Sequence, residues 1–236
     1  MKYFKLLLIF LSIVISSCSD DESSSPDTGG PLIESELVET LSVEVNPSGY
    51  APLTAQLNLE TNQAVSVEVS VLGKNGNTST ITKRFDGMGT TFELIVLGLY
   101  ADYENQLDIK LLDGSGSTLE TQNILVQRAP LIADMPQITI DVPSNSDEPI
   151  YNFVNYFGFV DITNFRPQRP LIFDQFGEIR WYLDLSSHPT LFDLFYDNGM
   201  TRLLNGNLLF GDGQTGSIYE IDMLGRIADS WDLQGN

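Results

Sequence analysis

Apolar and polar residues alternate in short runs from residue 38 to residue 127, which is the pattern of half-buried β-strands. Gly, Asn, Asp and Pro clusters separate the runs, as turns require. Seven runs can be counted: 40–45, 53–59, 65–72, 79–85, 91–97, 106–112 and 118–126. Their number and spacing predict a β-sandwich over residues 38–128. Tyr100 and Tyr103 precede the sixth run, and either a tyrosine corner or plain core packing accounts for them.

A longer-range repeat follows the sandwich. The unit D-x-x-G-x-I-x-x-x-x-D-L begins at Asp174 and returns at Asp222. The interval matches the roughly 40–50 residues of a β-propeller blade. Glycine in each copy is predicted to supply the positive φ of a turn between the third and fourth strands of a blade. The repeated apolar pairs Ile179/Ile227 and Leu185/Leu233 are predicted to lie between stacked sheets.

Residues 200–233 predict one four-stranded blade, and the first copy of the repeat predicts the outer half of the blade before it. Residues 129–150, with several prolines, are predicted to be a linker. The aromatic residues that follow predict a strand packed on the first blade, with a sugar-stacking platform as the alternative; they are Phe153, Tyr156, Phe157, Phe159 and Phe165. Propellers need typically four or more blades. The expectation is therefore an all-β chain, an immunoglobulin-like β-sandwich followed by an incomplete propeller over 151–236, and a fragment of a longer protein.

The N-terminus has the layout of a secretory signal over residues 1–17, with basic residues before an apolar run that is too short to span a bilayer. Small residues precede Cys18, the single cysteine, and resemble a bacterial lipobox. Lipid attachment at Cys18 is the prediction, and a free buried thiol is the alternative.

Residues 18–37 are predicted to be a lipidated flexible tether, since the stretch after Cys18 is polar and acidic. That stretch resembles the export tag of surface lipoproteins, with an ordinary linker as the alternative. An outer-membrane lipoprotein of the cell envelope, surface-exposed or not, is expected.

The net charge of the chain limits the kinds of partner that it is expected to bind. The chain has 12 basic and 32 acidic residues and a formal net charge of −20. Such a surface repels nucleic-acid phosphates and anionic headgroups. No nucleic-acid partner is expected, and membrane contact is expected through the lipid anchor alone.

Three features together resemble the bacterial arylsulfate sulfotransferase family: the lipidated N-terminus, the motif N-P-S-G-Y-A-P-L-T-A at 46–55, and L-L-N-G-N-L-L-F-G at 203–211 leading into the second repeat. The resemblance implies a β-sandwich followed by a six-bladed propeller. It also implies transfer of a sulfuryl group from a phenolic sulfate ester to a phenol, without a nucleotide donor or another cofactor. In that family a funnel histidine carries the sulfuryl group, and other histidines and an arginine stabilise it. None of the family's catalytic positions maps onto this chain, so these residues alone are predicted to be inactive.

The remaining candidates for chemistry are weak. His188, the single histidine, lies in a predicted loop and is interpreted as structural or solvent-exposed. Four arginines are interpreted as surface groups: Arg166, Arg169, Arg180 and Arg202. The glycine-rich stretch 211–216 lacks the lysine and helix of a phosphate-binding loop and is predicted to be a turn. Calcium at the loops from Asp212 to Asp222 is disfavoured by the ligand spacing. No catalytic, cofactor-binding or metal-binding residue is assigned.

A second hypothesis stays open, a non-enzymatic surface lipoprotein that binds a glycan or another protein. It predicts that the fluorescence of Trp181 or Trp231 responds to a carbohydrate.

Overall fold

A computed structural model describes residues 35–157, 168–196 and 199–233. They belong to one compact unit, Leu32–Asn236, and within these ranges the regular structure is β-strand apart from a 3-10 turn at Gly76–Ser79. The predicted signal peptide and the predicted lipid attachment at Cys18 lie outside these ranges. Within the same ranges, no helix has the length and apolarity needed to cross a membrane. The all-β class predicted from the alternation is confirmed.

Five strands form the N-terminal immunoglobulin-like sandwich as a single curled sheet: β1 Val38–Val45, β2 Thr54–Val71, β3 Ile81–Leu97, β4 Glu104–Leu112 and β5 Thr118–Gln127. The first half of β2 pairs with β1 and its second half with β4, while β3 follows β2 along both halves. The register between β2 and β3 is irregular from Glu60 to Val67. The sheet bends at this irregularity, so that its two ends enclose one core.

The seven predicted runs are therefore five strands. Runs 53–59 and 65–72 are the two halves of β2, and runs 79–85 and 91–97 are the two halves of β3. The sequence between the halves of β2 contains neither glycine nor proline, so the chain bends through a bulge instead of turning. In the sequence alone, polar residues at a bend of a strand cannot be distinguished from polar residues at a turn between two strands.

Tyr100 and Tyr103 differ in environment. Tyr100 is fully buried, and its hydroxyl accepts the backbone N–H of Lys74 at 3.2 Å. Lys74 is 26 residues upstream, whereas the hydroxyl of a tyrosine corner bonds to backbone only a few residues upstream. Tyr103 is partly exposed and contacts the Tyr100 ring edge-on. Buried Asn105 closes this loop, since its Oδ1 accepts the Tyr100 N–H at 2.7 Å and its Nδ2 donates to the Tyr100 carbonyl. Core packing therefore accounts for Tyr100, and a tyrosine corner does not.

The first blade has three described strands: β6 Tyr151–Tyr156, β7 Arg169–Asp174 and β8 Ile179–Tyr182, in the order β6-β7-β8. The sequence indicated only an outer half, and the aromatic segment supplies the additional strand. Phe153 packs against Trp181, and Phe157 packs against Tyr196. These rings are engaged within the protein, which argues against the sugar-stacking alternative for them. Phe159 and Phe165 lie outside the described residues.

The second blade contains the four predicted strands: β9 Thr201–Arg202, β10 Leu208–Asp212, β11 Ser217–Ile221 and β12 Ile227–Asp232, in the order β12-β11-β10-β9. The D-x-x-G turn joins β11 to β12 here and β7 to β8 in the first blade. Gly177 and Gly225 have φ of 84° and 80°, in agreement with the prediction. In each copy the aspartate accepts two backbone N–H groups of the turn through Oδ1.

The repeated apolar pairs do not share one environment. Ile179 and Leu185 are buried, whereas Ile227 is 37% exposed and Leu233 is 63% exposed. The prediction is correct for the first copy and wrong for the second. Ile179 joins the sandwich core and Leu185 joins the core between the blades, but among the described residues nothing covers the outer side of β12 to the same extent.

Two hydrophobic cores connect these parts. The first joins the sandwich to the first blade through Leu171, Ile179 and Tyr182. The second joins the first blade to the second and includes Ala51 of the sandwich. Segment 129–150 contains no strand or helix, and it packs four partly buried side chains against the first core: Leu131, Ile132, Met135 and Ile138.

Candidate functional site

The N-P-S-G-Y-A-P-L-T-A motif is the loop between β1 and β2, and it is held rigid by its own residues. Asn46 lies in the left-handed region at φ 51°, and its Oδ1 accepts the Ala51 N–H at 3.0 Å. The Thr54 hydroxyl donates to the Ala51 carbonyl at 2.8 Å. Asn tolerates the left-handed region better than most residues, and its side chain closes the loop. The motif is thus a preformed tip on the sandwich.

This tip inserts between the two blades. The Ser48 hydroxyl donates to the Leu224 carbonyl at 2.6 Å, in the D-x-x-G turn of the second blade. The Asp184 N–H, just after β8 of the first blade, donates to the Tyr50 carbonyl at 2.8 Å. Ala51 is fully buried in the core between the blades. The loop therefore fixes the relative placement of two successive blades.

We expect Gly225→Ala to destabilise the protein by about 2–4 kcal/mol. Its φ of +80° costs a non-glycine residue about 1–2 kcal/mol. A Cβ there would also lie 3.2 Å from Tyr50 Cβ and 3.1 Å from Leu185 Cδ2, and overpacking adds about 1–3 kcal/mol. Gly206→Ala is the matched control, because Gly206 has φ +90° and nothing closer than 4.0 Å. Urea unfolding compares the two variants. Equal losses would show that the insertion of the tip adds nothing.

His188 lies beneath this loop and is a buried structural residue. Its Nδ1 accepts the Thr190 N–H at 3.0 Å and the Leu191 N–H at 2.9 Å. The ring contacts that of Tyr50, with centroids 4.8 Å apart. Burial lowers the pKa of His188 below its ordinary value of 6.5. The structural alternative predicted for His188 is the correct one, and the solvent-exposed alternative is not.

The same contacts remove His188 as a nucleophile. An imidazole attacks through an unprotonated nitrogen with a free lone pair. The lone pair of Nδ1 is engaged by two backbone N–H groups, so the proton of the neutral ring lies on Nε2. Neither nitrogen is available to attack an electrophile while the loop keeps this conformation.

His188 predicts a loss of stability in mild acid. Because its pKa is lowered in the folded state, the unfolded chain binds more protons near pH 6, and stability falls as the pH drops below about 6.5. The slope from one proton is at most about 1.4 kcal/mol per pH unit. His188→Asn keeps an acceptor near Nδ1 and does not titrate. Melting temperatures between pH 7.5 and 5 should fall less for this variant than for the wild type. Parallel curves would exclude His188 as the titrating group.

Arg180 forms the strongest polar contact between the sandwich and the first blade. Its Nη1 donates to Asp174 Oδ2 at 3.0 Å, and both side chains are 1% exposed. Its Nε and Nη2 donate to the Gly98 carbonyl at 2.9 and 2.7 Å, and Nη1 also donates to the Ser79 carbonyl. The guanidinium carbon lies 3.6 Å from the centroid of the Tyr100 ring. The buried Arg180 guanidinium therefore joins Asp174 of the D-x-x-G turn to two loops of the sandwich.

The interpretation of the arginines as surface groups is wrong for Arg180 and Arg169, which are buried. It holds for Arg202, which is exposed on β9, and Arg166 lies outside the described residues. One signal in the sequence distinguishes Arg180, since Ala228 occupies the equivalent position of the second repeat. A charge at a position that the other copy fills with alanine indicates a contact made by only one blade.

Lys74 adds a second link that the sequence did not indicate. Its Nζ lies 4.5 Å from the centroid of the Tyr100 ring and 4.8 Å from that of Tyr103. It also pairs with Glu178 Oε1 of the first blade at 3.0 Å. Ammonium groups bind aromatic faces at such distances. The first blade thus contacts the sandwich through a buried guanidinium and through a partly exposed ion pair.

A second group of charges surrounds Tyr182 at the other end of β8. Arg169 donates to Asp134 Oδ2 at 2.6 Å, and its Nε lies 3.7 Å from Asp184 Oδ1. Burial and the charge of Asp184 raise the pKa of Tyr182, while the Ile132 N–H and the guanidinium groups of Arg128 and Arg169 oppose that rise.

The glycine-rich stretch 211–216 is a turn, as predicted. It joins β10 to β11, and the carboxylate of Asp212 is used within the fold. Its Oδ1 accepts the Phe195 N–H at 3.0 Å, and its Oδ2 accepts the N–H and the hydroxyl of Thr215 at 2.9 and 2.7 Å. In the part of the chain that the structure describes, no three His, Cys, Asp or Glu residues come together as a metal site.

Fold and contacts together define a class: an all-β protein in which an immunoglobulin-like sandwich is joined rigidly to the first blades of a propeller. Two family models match it in the same order along the chain. The arylsulfotransferase Ig-like domain matches residues 42–128, and the arylsulfotransferase domain matches residues 139–236. The chain belongs to the arylsulfotransferase family. Membership implies an aryl sulfate and a phenol as substrates. A comparison with curated proteins found no match.

Proposed function

We propose that this chain is the N-terminal part of a lipid-anchored arylsulfate sulfotransferase. It would provide the sandwich and the first blades of an enzyme that moves a sulfuryl group from a phenolic sulfate ester to a phenol. The observation that supports this most is the ordered pair of family matches, sandwich first and propeller second. The residues around Cys18 support attachment to the cell envelope, because signal, cysteine and acidic tether follow one another in the order of a lipoprotein.

The proposed reaction has two steps and needs no redox partner. An imidazole nitrogen attacks the sulfur of the ester, the bond from sulfur to the phenolic oxygen breaks, and the phenolate leaves and takes a proton. The acceptor phenol then attacks the same sulfur, loses its proton, and releases the histidine. Splitting one transfer into two displacements is the usual advantage of a covalent intermediate, and fixed cationic donors stabilise the charge on the transferring oxygens.

The nucleophile of this reaction is not His188. His188 is the single histidine of the 236 residues, and its Nδ1 already accepts two backbone N–H groups. Arg180 is likewise committed, since its guanidinium donates to Asp174 and to two sandwich carbonyls. We therefore propose that the histidine that carries the sulfuryl group is not among these 236 residues. The described residues have a different task in this proposal, which is to hold the first two blades in register.

The test is an assay of the native protein, isolated from membranes of the source cells with an antibody against residues 38–128. We expect the isolated protein to release 4-nitrophenol from 4-nitrophenyl sulfate only when an acceptor phenol is present. The purified 236-residue chain should not turn over. His188→Asn introduced into the native gene should leave the rate per folded molecule unchanged. Absence of transfer by the native protein would contradict the proposed function, and loss of transfer in a stable His188→Asn protein would contradict the placement of the nucleophile.

A further inference from the structure

Arg128 is a buried cation whose Nε has no hydrogen-bond acceptor among the described residues. It follows β5 and is 8% exposed. Its backbone N–H donates to the Tyr103 carbonyl, and Gln127 Nε2 donates to the Arg128 carbonyl at 3.2 Å. Its Nε is buried without a hydrogen-bond partner, and across the described ranges the guanidinium meets no carboxylate. Buried arginines are normally paired, so this one calls for an explanation.

The excess of acidic residues in the chain makes the lack of an acceptor at Arg128 Nε more significant. The chain has 32 acidic residues against 12 basic ones, so carboxylates are in excess. Arg169, close to the same phenol, has two of them, Asp134 at 2.6 Å and Asp184 at 3.7 Å. Burial without a compensating charge also lowers the pKa of Arg128. An unpaired buried charge costs several kcal/mol unless something neutralises it.

The surroundings are suited to a small anion. Arg128 and Arg169 both lower the pKa of buried Tyr182, so each guanidinium lies within electrostatic range of its hydroxyl. Arg169 Nε is also buried and has no hydrogen bond, because its distance to Asp184 Oδ1 exceeds that of one. Two buried guanidinium groups near Tyr182 thus each keep an Nε–H without an acceptor. The balanced charge of Arg169 leaves Arg128 as the local positive excess.

We propose that Arg128 binds a small oxyanion at the junction of β5, segment 129–135 and β8. The planar fork of a guanidinium matches two oxygens of a sulfate, a phosphate or a carboxylate, and charge-assisted bonds of this kind are about twice as strong as neutral ones. The site is separate from the proposed sulfuryl transfer, since Arg128 belongs to the sandwich. Its bound anion would connect the sandwich, the segment that follows it and the first blade, and so stabilise their contact.

Inorganic sulfate is the probe for the test, with acetate as the carboxylate arm and chloride as the reference at equal ionic strength. The melting temperature of the purified chain is measured against anion concentration. An anion that binds only the folded protein should raise the melting temperature by about 3–6 °C when its concentration is ten times the dissociation constant. Arg128→Met should remove this rise. In chloride alone Arg128→Met should melt at or above the wild-type temperature, because it removes an unpaired buried charge, so the two proteins exchange order when sulfate is added.

Arg226→Met is the matched control, since Arg226 is 58% exposed and already pairs with Asp222. It should keep the full response to sulfate. An equal rise in the wild type and Arg128→Met would show a general salt effect and overturn the proposal. If Arg128→Met does not fold, calorimetric titration of the wild type with sulfate and acetate decides. Saturable heat with either anion that Arg128→Lys weakens supports the site, and absence of saturable heat rejects it.

Discussion

Arg180→Met is expected to lower the free energy of unfolding by about 3–5 kcal/mol, and the melting temperature by about 6–20 °C. Methionine removes the charge while retaining much of the volume. It leaves the Asp174 carboxylate buried without its cation, and it leaves the Gly98 and Ser79 carbonyls without the donors that Arg180 supplies. Removing one member of a buried pair is costly because the other remains desolvated. Urea unfolding, followed by circular dichroism and tryptophan fluorescence, measures the loss.

Arg226→Met again provides the matched control, because Arg226 pairs with Asp222 in the same D-x-x-G turn of the second blade. Arg226 is 58% exposed, so its pair should contribute less than about 1 kcal/mol. The double variant Asp174→Asn/Arg180→Met should be less destabilised than the sum of its single variants, since it leaves no unpaired buried charge. A loss below about 1 kcal/mol for Arg180→Met would mean that water, not the sandwich, solvates this guanidinium.

Trp181→Ala is expected to cost about 3–5 kcal/mol, because it removes the largest fully buried side chain from the core between the blades. Trp181 Nε1 also donates to the Met223 carbonyl of the second blade at 2.8 Å. Trp181→Phe keeps most of the apolar contact but leaves that carbonyl without its donor, and we expect about 1–3 kcal/mol for it. Chemical denaturation of both variants separates packing from the hydrogen bond.

Trp231→Ala is the control for this pair of variants, since Trp231 is 44% exposed on β12 and should cost less than about 1 kcal/mol. The protein has only these two tryptophans, so Trp231→Phe leaves Trp181 as the single fluorescent reporter of the contact between the blades. An emission shift that coincides with the circular dichroism transition would show that the blades separate when the sheets unfold. A Trp181→Ala loss as small as that of Trp231→Ala would show that the blades are held together by other contacts.

The local chemistry of the repeat was predictable because it acts within a few residues. In D-x-x-G the aspartate accepts two N–H groups of its own turn, and glycine supplies the left-handed backbone, so both copies form the same turn whatever surrounds them. The alternation of β2 and β3 was likewise correct in period. The division of these strands into four was wrong, because β2 bends at the irregularity from Glu60 to Val67 and β3 continues through Gly87 and Gly89, so neither strand ends there.

The contacts that define the candidate site were not predictable, because they join residues far apart in sequence. Arg180 stands between Ile179 and Trp181 in the sequence, and nothing in that segment reveals that Gly98 and Ser79 of the sandwich supply its acceptors. The Nδ1 acceptor bonds of His188 are local, two and three residues away, whereas its burial against the Tyr50 ring is a contact that only the fold creates. Its interpretation as structural rested on the absence of a matched motif, which is weaker than the geometry that now supports it.

By itself the sequence determined the all-β class, the interval between the repeats and the glycine turn of each repeat, since these depend on short patterns of polarity and on residues with special backbone preferences. The family followed from the resemblance of the motifs at 46–55 and 203–211. Only the tertiary structure decided how the 46–55 loop enters between the blades, and which arginines are buried. It also decided that Ile179 is covered while its equivalent Ile227 is exposed. Burial depends on what another part of the chain places against a residue, and a local pattern carries no information about that neighbour.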